Sequence, residues 1–314
     1  MNILVTGGCG YVGSVLTPKL LEQGHHVTVY DIMWFGNFLQ PHKNLRIMQG
    51  DIRNTAAVPM SGIDAIIHLA NIANDPCGDL NAKLSWEVNA LATMGLAESA
   101  IAHGVKQFIF SSSGSVYGVK DEPQVTEELS LVPISDYNKT KMISERVLLS
   151  YKDAITVQIV RPATICGYSP RTRLDLSVNM LTVQALANGR ITVFGGNQIR
   201  PNIHIQDITD VFIHLLSLGA KAAGIYNAGF ENISILDIAK TAAEFIPAEI
   251  VVSESNDPRS YRLNADKLLA TGFKPRFKVV DAIREIMAAY HDGKLKDQDS
   301  CYNIRIMKQM DNLE

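Results

Sequence analysis

A chain of 314 residues is long enough for about two domains, and its 46% hydrophobic content can fill a sizeable core. Its 29 Lys and Arg stand against 32 Asp and Glu, and the net charge of −3 gives no electrostatic reason to bind nucleic acid or an anionic membrane. No apolar run approaches the roughly 18 residues of a membrane span, and with only Met1 and Asn2 ahead of the first apolar run, no signal peptide and a cytoplasmic location are expected.

In chain order, residues 3–6 are a strand candidate that runs into Gly7-Gly8-Cys9-Gly10-Tyr11-Val12-Gly13. A glycine turn between a strand and a helix lets the backbone approach a pyrophosphate, which the helix N-terminus then favours electrostatically. Gly7, Gly10, Tyr11, Val12 and Gly13 are therefore expected among the cofactor contacts. The next helix, about residues 11–23, contains Pro18, which removes a backbone bond and predicts a kink. A second strand, residues 27–30, ends at Asp31, eighteen residues after Gly13. An acidic side chain there accepts hydrogen bonds from the adenosine ribose and repels a 2′-phosphate, which predicts NAD rather than NADP.

Residues 45–50 and 65–69 predict the third and fourth strands, and His68 reads as a packed or capping residue rather than a catalyst. A long helical pattern covers residues 83–103, and residues 107–111 predict the fifth strand. Cys9, Cys77, Cys166 and Cys301 are scattered, have no metal-ligand spacing and read as reduced, mostly packed thiols; no metal is expected.

The fifth strand ends in Ser112-Ser113-Gly114-Ser115-Val116-Tyr117-Gly118, and after a polar loop Ser135 is the expected N-cap of a helix beginning at Asp136. Tyr137 and Lys141 share one face of that helix, with Cβ atoms about 5–6 Å apart. A tyrosine of ordinary pKa, about 10, is only about one part in a thousand phenolate at pH 7. A neighbouring ammonium favours the ionised form, so Lys141 is expected to lower the pKa of Tyr137 and make it a base for a substrate hydroxyl. Met142, Ile143, Val147 and Leu148 continue as an apolar stripe expected to pack on the sheet or on a second subunit, and residues 155–161 predict a sixth strand.

With the glycine-rich start, the Ser-rich strand end and Tyr137-x-x-x-Lys141, residues 1 to about 290 resemble the extended short-chain dehydrogenase/reductase family, the NAD-dependent epimerases and dehydratases of nucleotide sugars. Gly7-x-x-Gly10-x-x-Gly13 is the glycine spacing of that family. The resemblance implies that Asp51 and Ile52 contact the adenine, that Leu69, Ala70 and Asn71 pass under the cofactor, and that Ser111 and Pro162 join Tyr137 and Lys141 among the cofactor contacts. It makes Asn89 the fourth member of an Asn-Ser-Tyr-Lys set and Ser113 the hydroxyl that bonds the reacting sugar oxygen. Where the family's dehydratases and decarboxylases carry Glu, often preceded by Asp, this chain has Gly114 and Ser115, as the 4-epimerases have a small hydroxyl residue. Thr164 replaces an Asn that touches substrate or nicotinamide. The implied substrate set is Ser113, Ser115, Thr164, Asn179, Arg200 and Arg259, with the two arginines holding a nucleotide diphosphate. Phe194 is read either as lining the base pocket or as core.

Strand-helix alternation predicts a doubly wound parallel sheet of Rossmann type. The resemblance adds a second, smaller substrate domain. Residues 1–162 and 203–230 are expected to bind NAD, residues 163–202 and 231–290 to bind substrate, and residues 291–314 to form a polar tail without a clear period. The implied activity is NAD-dependent oxidation at C4 of a nucleotide-diphosphate sugar, as a 4-epimerase working as a homodimer. Two alternatives stand beside it. Arg171-Thr172-Arg173-Leu174-Asp175-Leu176, with Asn179, is similar to the run in bacterial GDP-heptose 4-dehydrogenases, which oxidise without returning the hydride. A catalytically silent NAD-binding regulator is the other, and the joint presence of Ser113, Tyr137 and Lys141 argues against it.

Overall fold

The computed structural model describes residues 1–255 and 260–310. β1 (Asn2–Thr6) leads through the glycine turn into α1 (Gly13–Glu22), followed by β2 (His26–Asp31), β3 (Leu45–Gln49) and β4 (Ala65–His68). Three short helices come next, α2 (Asp75–Leu80), α3 (Ala82–Trp86) and α4 (Ala92–Ala102), then β5 (Gln107–Ser111), α5 (Asp136–Ser150) and β6 (Thr156–Pro162). Beyond them lie β7 (Thr164–Cys166), α6 (Ser177–Asn188), β8 (Arg190–Phe194), β9 (Ile199–His204), α7 (Ile205–Leu218) and β10 (Gly224–Ala228). The chain continues through β11 (Glu231–Ser234), α8 (Ile235–Phe245), β12 (Glu249–Ser253), α9 (Asp266–Leu269), α10 (Val279–His291) and α11 (Asn303–Gln309).

Seven strands form one sheet in the order β10-β6-β5-β4-β1-β2-β3, and every pairing is parallel. Ile3, Leu4 and Val5 of β1, with Ile66 and Ile67 of β4 and Phe108 and Ile109 of β5, are fully buried, as expected of a parallel sheet covered on both faces. Strand order reverses between β1 and β4, and a doubly wound sheet binds its ligands outside the carboxyl ends of the strands at that point. The expected Rossmann sheet is the one observed.

Two small sheets lie apart from it, one of β11-β9-β7 and one of β12-β8. Their core has its own apolar set, including Val178, Leu181, Ile191, Val193, Ile238, Ala242 and Ile283. α1 runs through Pro18, which lies on its exposed face.

The helical pattern of residues 83–103 is not one regular helix. Glu87–Leu91 is a π-helical turn between α3 and α4, with Asn89 buried inside it. The looser turn is supported by side chains: the Asn89 carbonyl accepts from Thr93 Oγ1 and from Ser144 Oγ, each at 2.7 Å. Bulges of this kind concentrate at functional sites. Within the tail, residues 303–309 are helical. α11 packs against α2 and buries Met307 beneath the sheet's helical layer. All four cysteines are buried and free of disulfides.

Candidate active site

The glycine turn is tight enough to forbid side chains at two positions. Gly7 has φ +73°, and a Cβ there would stand 2.6 Å from Ala70 N; a Cβ on Gly13 would stand 2.5 Å from Gly7 O. The bare turn therefore nests against the end of β4 and presents backbone to the crevice. Asp31 braces it: one carboxylate oxygen accepts from Cys9 N at 2.9 Å and the other from Met33 N at 2.7 Å. Burial raises its pKa, while those backbone donors and the charge of Arg171 act in the opposite sense.

A pocket of about 110 Å³ beside Asp31 is lined by Gly7, Gly10, Trp34, Phe35, Asp51, Ile52, Ala70 and Asn71. It opens beside a larger cleft of about 490 Å³, whose wall includes Gly10, Tyr11, Val12, Asn71, Ser111 and Pro162. Leu69 is buried behind this surface, and its carbonyl accepts from Asn71 Nδ2 at 2.7 Å. Asn71 Oδ1 is buried without a protein partner. A backbone cradle with an unused acceptor at its edge fits a dinucleotide.

The same cleft holds the Ser-Tyr-Lys group expected from the sequence. Ser135 caps α5 as expected, accepting from Asn138 N at 3.2 Å, and Tyr137 and Lys141 both line the cleft. The Ser113 hydroxyl acts on the Tyr137 phenol so as to favour its ionised form. Ser113 Oγ is 2.6 Å from Ser115 Oγ, which in turn donates to Asn138 Oδ1. Lys141 Nζ donates to the Ser111 carbonyl at 2.7 Å, lies 4.7 Å from the Phe110 ring centroid and 6.0 Å from that of Tyr137.

The expected depression of the Tyr137 pKa is not met in this arrangement. Burial pushes the phenol up to about 12, against the Ser113 hydroxyl and the Arg173 charge, and Asp75 raises it further. Burial also pulls Lys141 down to about 7, against the charge of Glu145. Desolvation penalises the charged form of both groups, and here it outweighs their proximity.

Asp75 is a cleft residue that sequence reasoning missed. It begins α2, lines the cleft and accepts from Ser135 Oγ at 2.6 Å. Asn74 before it has φ +76°, caps α2 by accepting from Cys77 N at 3.0 Å, and donates to Asp175 at 3.0 Å. Asn-Asp-Pro announces a helix start in the sequence, but nothing local says which residue it faces. Asp75→Asn keeps the shape and an acceptor while removing the charge that raises the Tyr137 pKa. With Tyr137 as base, the limb of the kcat/KM profile that rises with pH should move to lower pH. A limb that stays in place or moves up would remove this coupling.

Beneath the cleft runs a buried polar chain. Ser112 Oγ donates to Glu145 at 2.5 Å, and Glu145 accepts two guanidinium bonds from Arg161, at 2.9 and 2.6 Å. Arg161 also donates to Tyr117 Oη at 2.7 Å, and Tyr117 to Asn227 at 2.8 Å. Asn89 lies at the same depth rather than in the cleft wall. Its amide exchanges bonds with the Ile72 backbone at 2.8 and 3.1 Å and donates to Thr140 Oγ1 at 3.1 Å, joining the β4 loop to α5. His68 is packed, as expected, and burial brings its pKa down to about 3. Thr93 donates its hydroxyl proton to Asn89 O, so it accepts from His68 Nε2, and His68 Nδ1 accepts from Thr6 Oγ1 at 2.6 Å.

On the far wall stand Thr164, Arg200, Arg171 and Arg173. Arg173 is paired with Asp175 through two bonds, at 2.9 and 3.1 Å. Asn179 does not line the cleft. It is fully buried, accepts from Gly167 N at 2.9 Å and donates to Arg173 O at 2.9 Å and Tyr11 Oη at 3.1 Å, holding up the loop that carries the arginines. Phe194 is exposed, in neither the cleft nor the core. Arg259 lies outside the described residues.

A doubly wound sheet with a glycine turn at its switch point and a Ser-Tyr-Lys group in the adjoining cleft defines a dinucleotide-binding class of protein. The model of the NAD dependent epimerase/dehydratase family matches residues 3–229, and the chain belongs to this family, whose cofactor is NAD. It is 28% identical over 294 residues to a UDP-glucose 4-epimerase of Corynebacterium glutamicum, covering 85% of this chain and 88% of that one. A second UDP-glucose 4-epimerase, from Lactobacillus helveticus, is 27% identical, with 94% and 98% covered. Among solved structures, a UDP-glucuronic acid 4-epimerase from Bacillus cereus, in complex with UDP-glucuronic acid and NAD, superposes with a TM-score of 0.80 at 26% identity, covering 93% of this chain and 99% of that one. A dTDP-glucose 4,6-dehydratase from Streptomyces venezuelae superposes at 0.84 with 24% identity, covering 93% and 98%, a likeness of fold. Among the described residues no helix is long and apolar enough to cross a membrane, and no group of His, Cys, Asp and Glu could hold a metal ion.

Proposed function

We propose that this protein oxidises C4 of a nucleotide-diphosphate sugar and restores it with inverted configuration, as a 4-epimerase. The observation that supports this reading is that Tyr137, Lys141 and the hydrogen-bonded pair Ser113 and Ser115 line one cleft, which also borders the glycine turn and Arg200. NAD, when bound, supplies a reversible hydride acceptor. Tyr137 takes the proton from the C4 hydroxyl, and Ser113 donates a hydrogen bond to the same oxygen. Lys141, bonded to Ser111 O, holds the nicotinamide ribose and adds positive charge on the side where the phenolate forms. Arg200 lies in the wall where a diphosphate would be held, with Arg259 as its expected second arm. Rotation of the keto sugar before hydride returns to its other face inverts C4 with no net redox change.

Ser115 and Gly114 favour this outcome over loss of water. Elimination across C5–C6 needs an acid at the leaving hydroxyl and a base at C5, and neither residue moves a proton as a carboxylate does. Gly114 has little room for a larger side chain, since a Cβ there would lie 3.2 Å from Pro162 O. A binding screen of UDP-, GDP-, dTDP- and CDP-sugars on the NAD-loaded protein, followed by mass and NMR analysis of products, should give a C4 epimer of unchanged mass. A 4-keto-6-deoxy product would refute the carboxylate reasoning. Accumulation of NADH with a 4-keto sugar would establish net oxidation instead.

A further inference from the structure

Arg171 has no part in the chemistry described so far. Its side chain is 3% exposed, yet it lines the cleft. The guanidinium lies over the Phe35 ring, 4.1 Å from its centroid, and one terminal nitrogen donates to Asn303 Oδ1 at 2.5 Å. Nε is buried with no partner. Among the described residues no carboxylate is paired with it, because the nearby Asp175 is taken by Arg173. A desolvated cation with an unused donor is costly to keep, and in a cleft that cost is offset by a bound anion.

Two diphosphates could meet this residue, that of the cofactor and that of the sugar nucleotide. The loop that carries Arg171 is fastened to the glycine turn. Ser169 Oγ donates to Tyr11 O at 2.8 Å and lies 2.8 Å from Ser14 Oγ. Tyr11 Oη donates to Gly167 O at 2.7 Å, and Arg171 N donates to Ser169 Oγ at 3.3 Å. Phe35, on which the guanidinium rests, borders both the pocket beside Asp31 and the cleft. These ties place Arg171 across from the N-terminus of α1.

We propose that Arg171 clamps the pyrophosphate of the dinucleotide from the side opposite the glycine turn, with Asn303 of α11 fixing the orientation of its fork. The C-terminal helix is thereby a working part of the cofactor site, and a cofactor held on two sides suits a reaction that returns its hydride in place. The proposal rests on the dinucleotide alone, so it stands or falls separately from the sugar chemistry.

Calorimetric titration of NAD, ADP-ribose, adenosine and UDP into wild-type protein and three variants tests it. Arg171→Met should weaken NAD and ADP-ribose roughly ten- to a hundredfold, the range for lost hydrogen bonds to a charged group, and leave adenosine within about twofold. Arg171→Lys keeps the charge without the planar fork and should lose less, while Asn303→Leu should show the same pattern at smaller size. Adenosine weakened as much as NAD in all three variants would show a structural role and overturn the clamp. Unchanged NAD with weakened UDP would overturn it by assigning Arg171 to the sugar nucleotide. If Arg171→Met does not fold, the other two variants decide, since unchanged NAD and ADP-ribose binding in both refutes the proposal.

Discussion

Tyr137→Phe is expected to lower turnover by roughly 10²–10⁴-fold, the usual worth of a positioned acid-base group, while NAD binding is retained. The substitution removes only the phenol oxygen and leaves the ring in place at the start of α5. With the phenol at about 12 and Lys141 at about 7, the site as folded holds Tyr137 protonated at neutral pH. Base catalysis then depends on what stabilises the phenolate as the proton moves: the Ser113 hydroxyl, the Arg173 charge and the Lys141 ammonium. Single-turnover formation of NADH, or epimer formation followed by NMR, measures the effect. Activity within a few-fold of wild type would make another group the base.

Glu145→Ala should cost about 3–5 kcal/mol of folding stability, the typical cost of stranding one partner of a buried ion pair. Arg161 is 2% exposed, and both of its bonds to Glu145 would be lost, leaving Tyr117 Oη as its remaining side-chain partner. Ser112 would lose its acceptor as well. Because the Glu145 charge holds the Lys141 pKa up, the variant should also carry less charge on Lys141 near neutral pH. Urea denaturation measures the stability term. The double variant Glu145→Met/Arg161→Met should recover most of the loss, since removing both charges leaves none uncompensated. A single-variant loss under about 1 kcal/mol would show that the pair is not what holds α5 against β6.

Local features carried the fold and much of the site. Short apolar runs ending in Gly or Asp, the glycine turn with its helix start, the Ser-rich end of β5 and the Tyr137-Lys141 spacing each act within a few residues. The backbone geometry they demand is written beside them. The polar face of α5 was not legible in this way. Periodicity drew attention to Met142, Ile143, Val147 and Leu148, of which Leu148 is buried and the other three half-buried, whereas Lys141, Ser144 and Glu145 are all buried. Hydrophobic pattern cannot report a face whose burial is balanced by a partner on another strand, here Arg161 on β6.

The sequence by itself determined the Rossmann sheet, the glycine turn and the placing of Tyr137 and Lys141 at the start of one helix, because strand, turn and helix periods are set by neighbouring residues. Only the tertiary structure decided that Asp75 and Arg171 stand in the cleft, that Asn89 and Asn179 lie beneath its walls, and that α11 reaches it through Asn303. It also made burial outweigh the neighbouring ammonium, so that the Tyr137 pKa rises where a fall was expected. Contacts between distant segments and the loss of water around a charge depend on how the whole chain packs, and no local spacing encodes either.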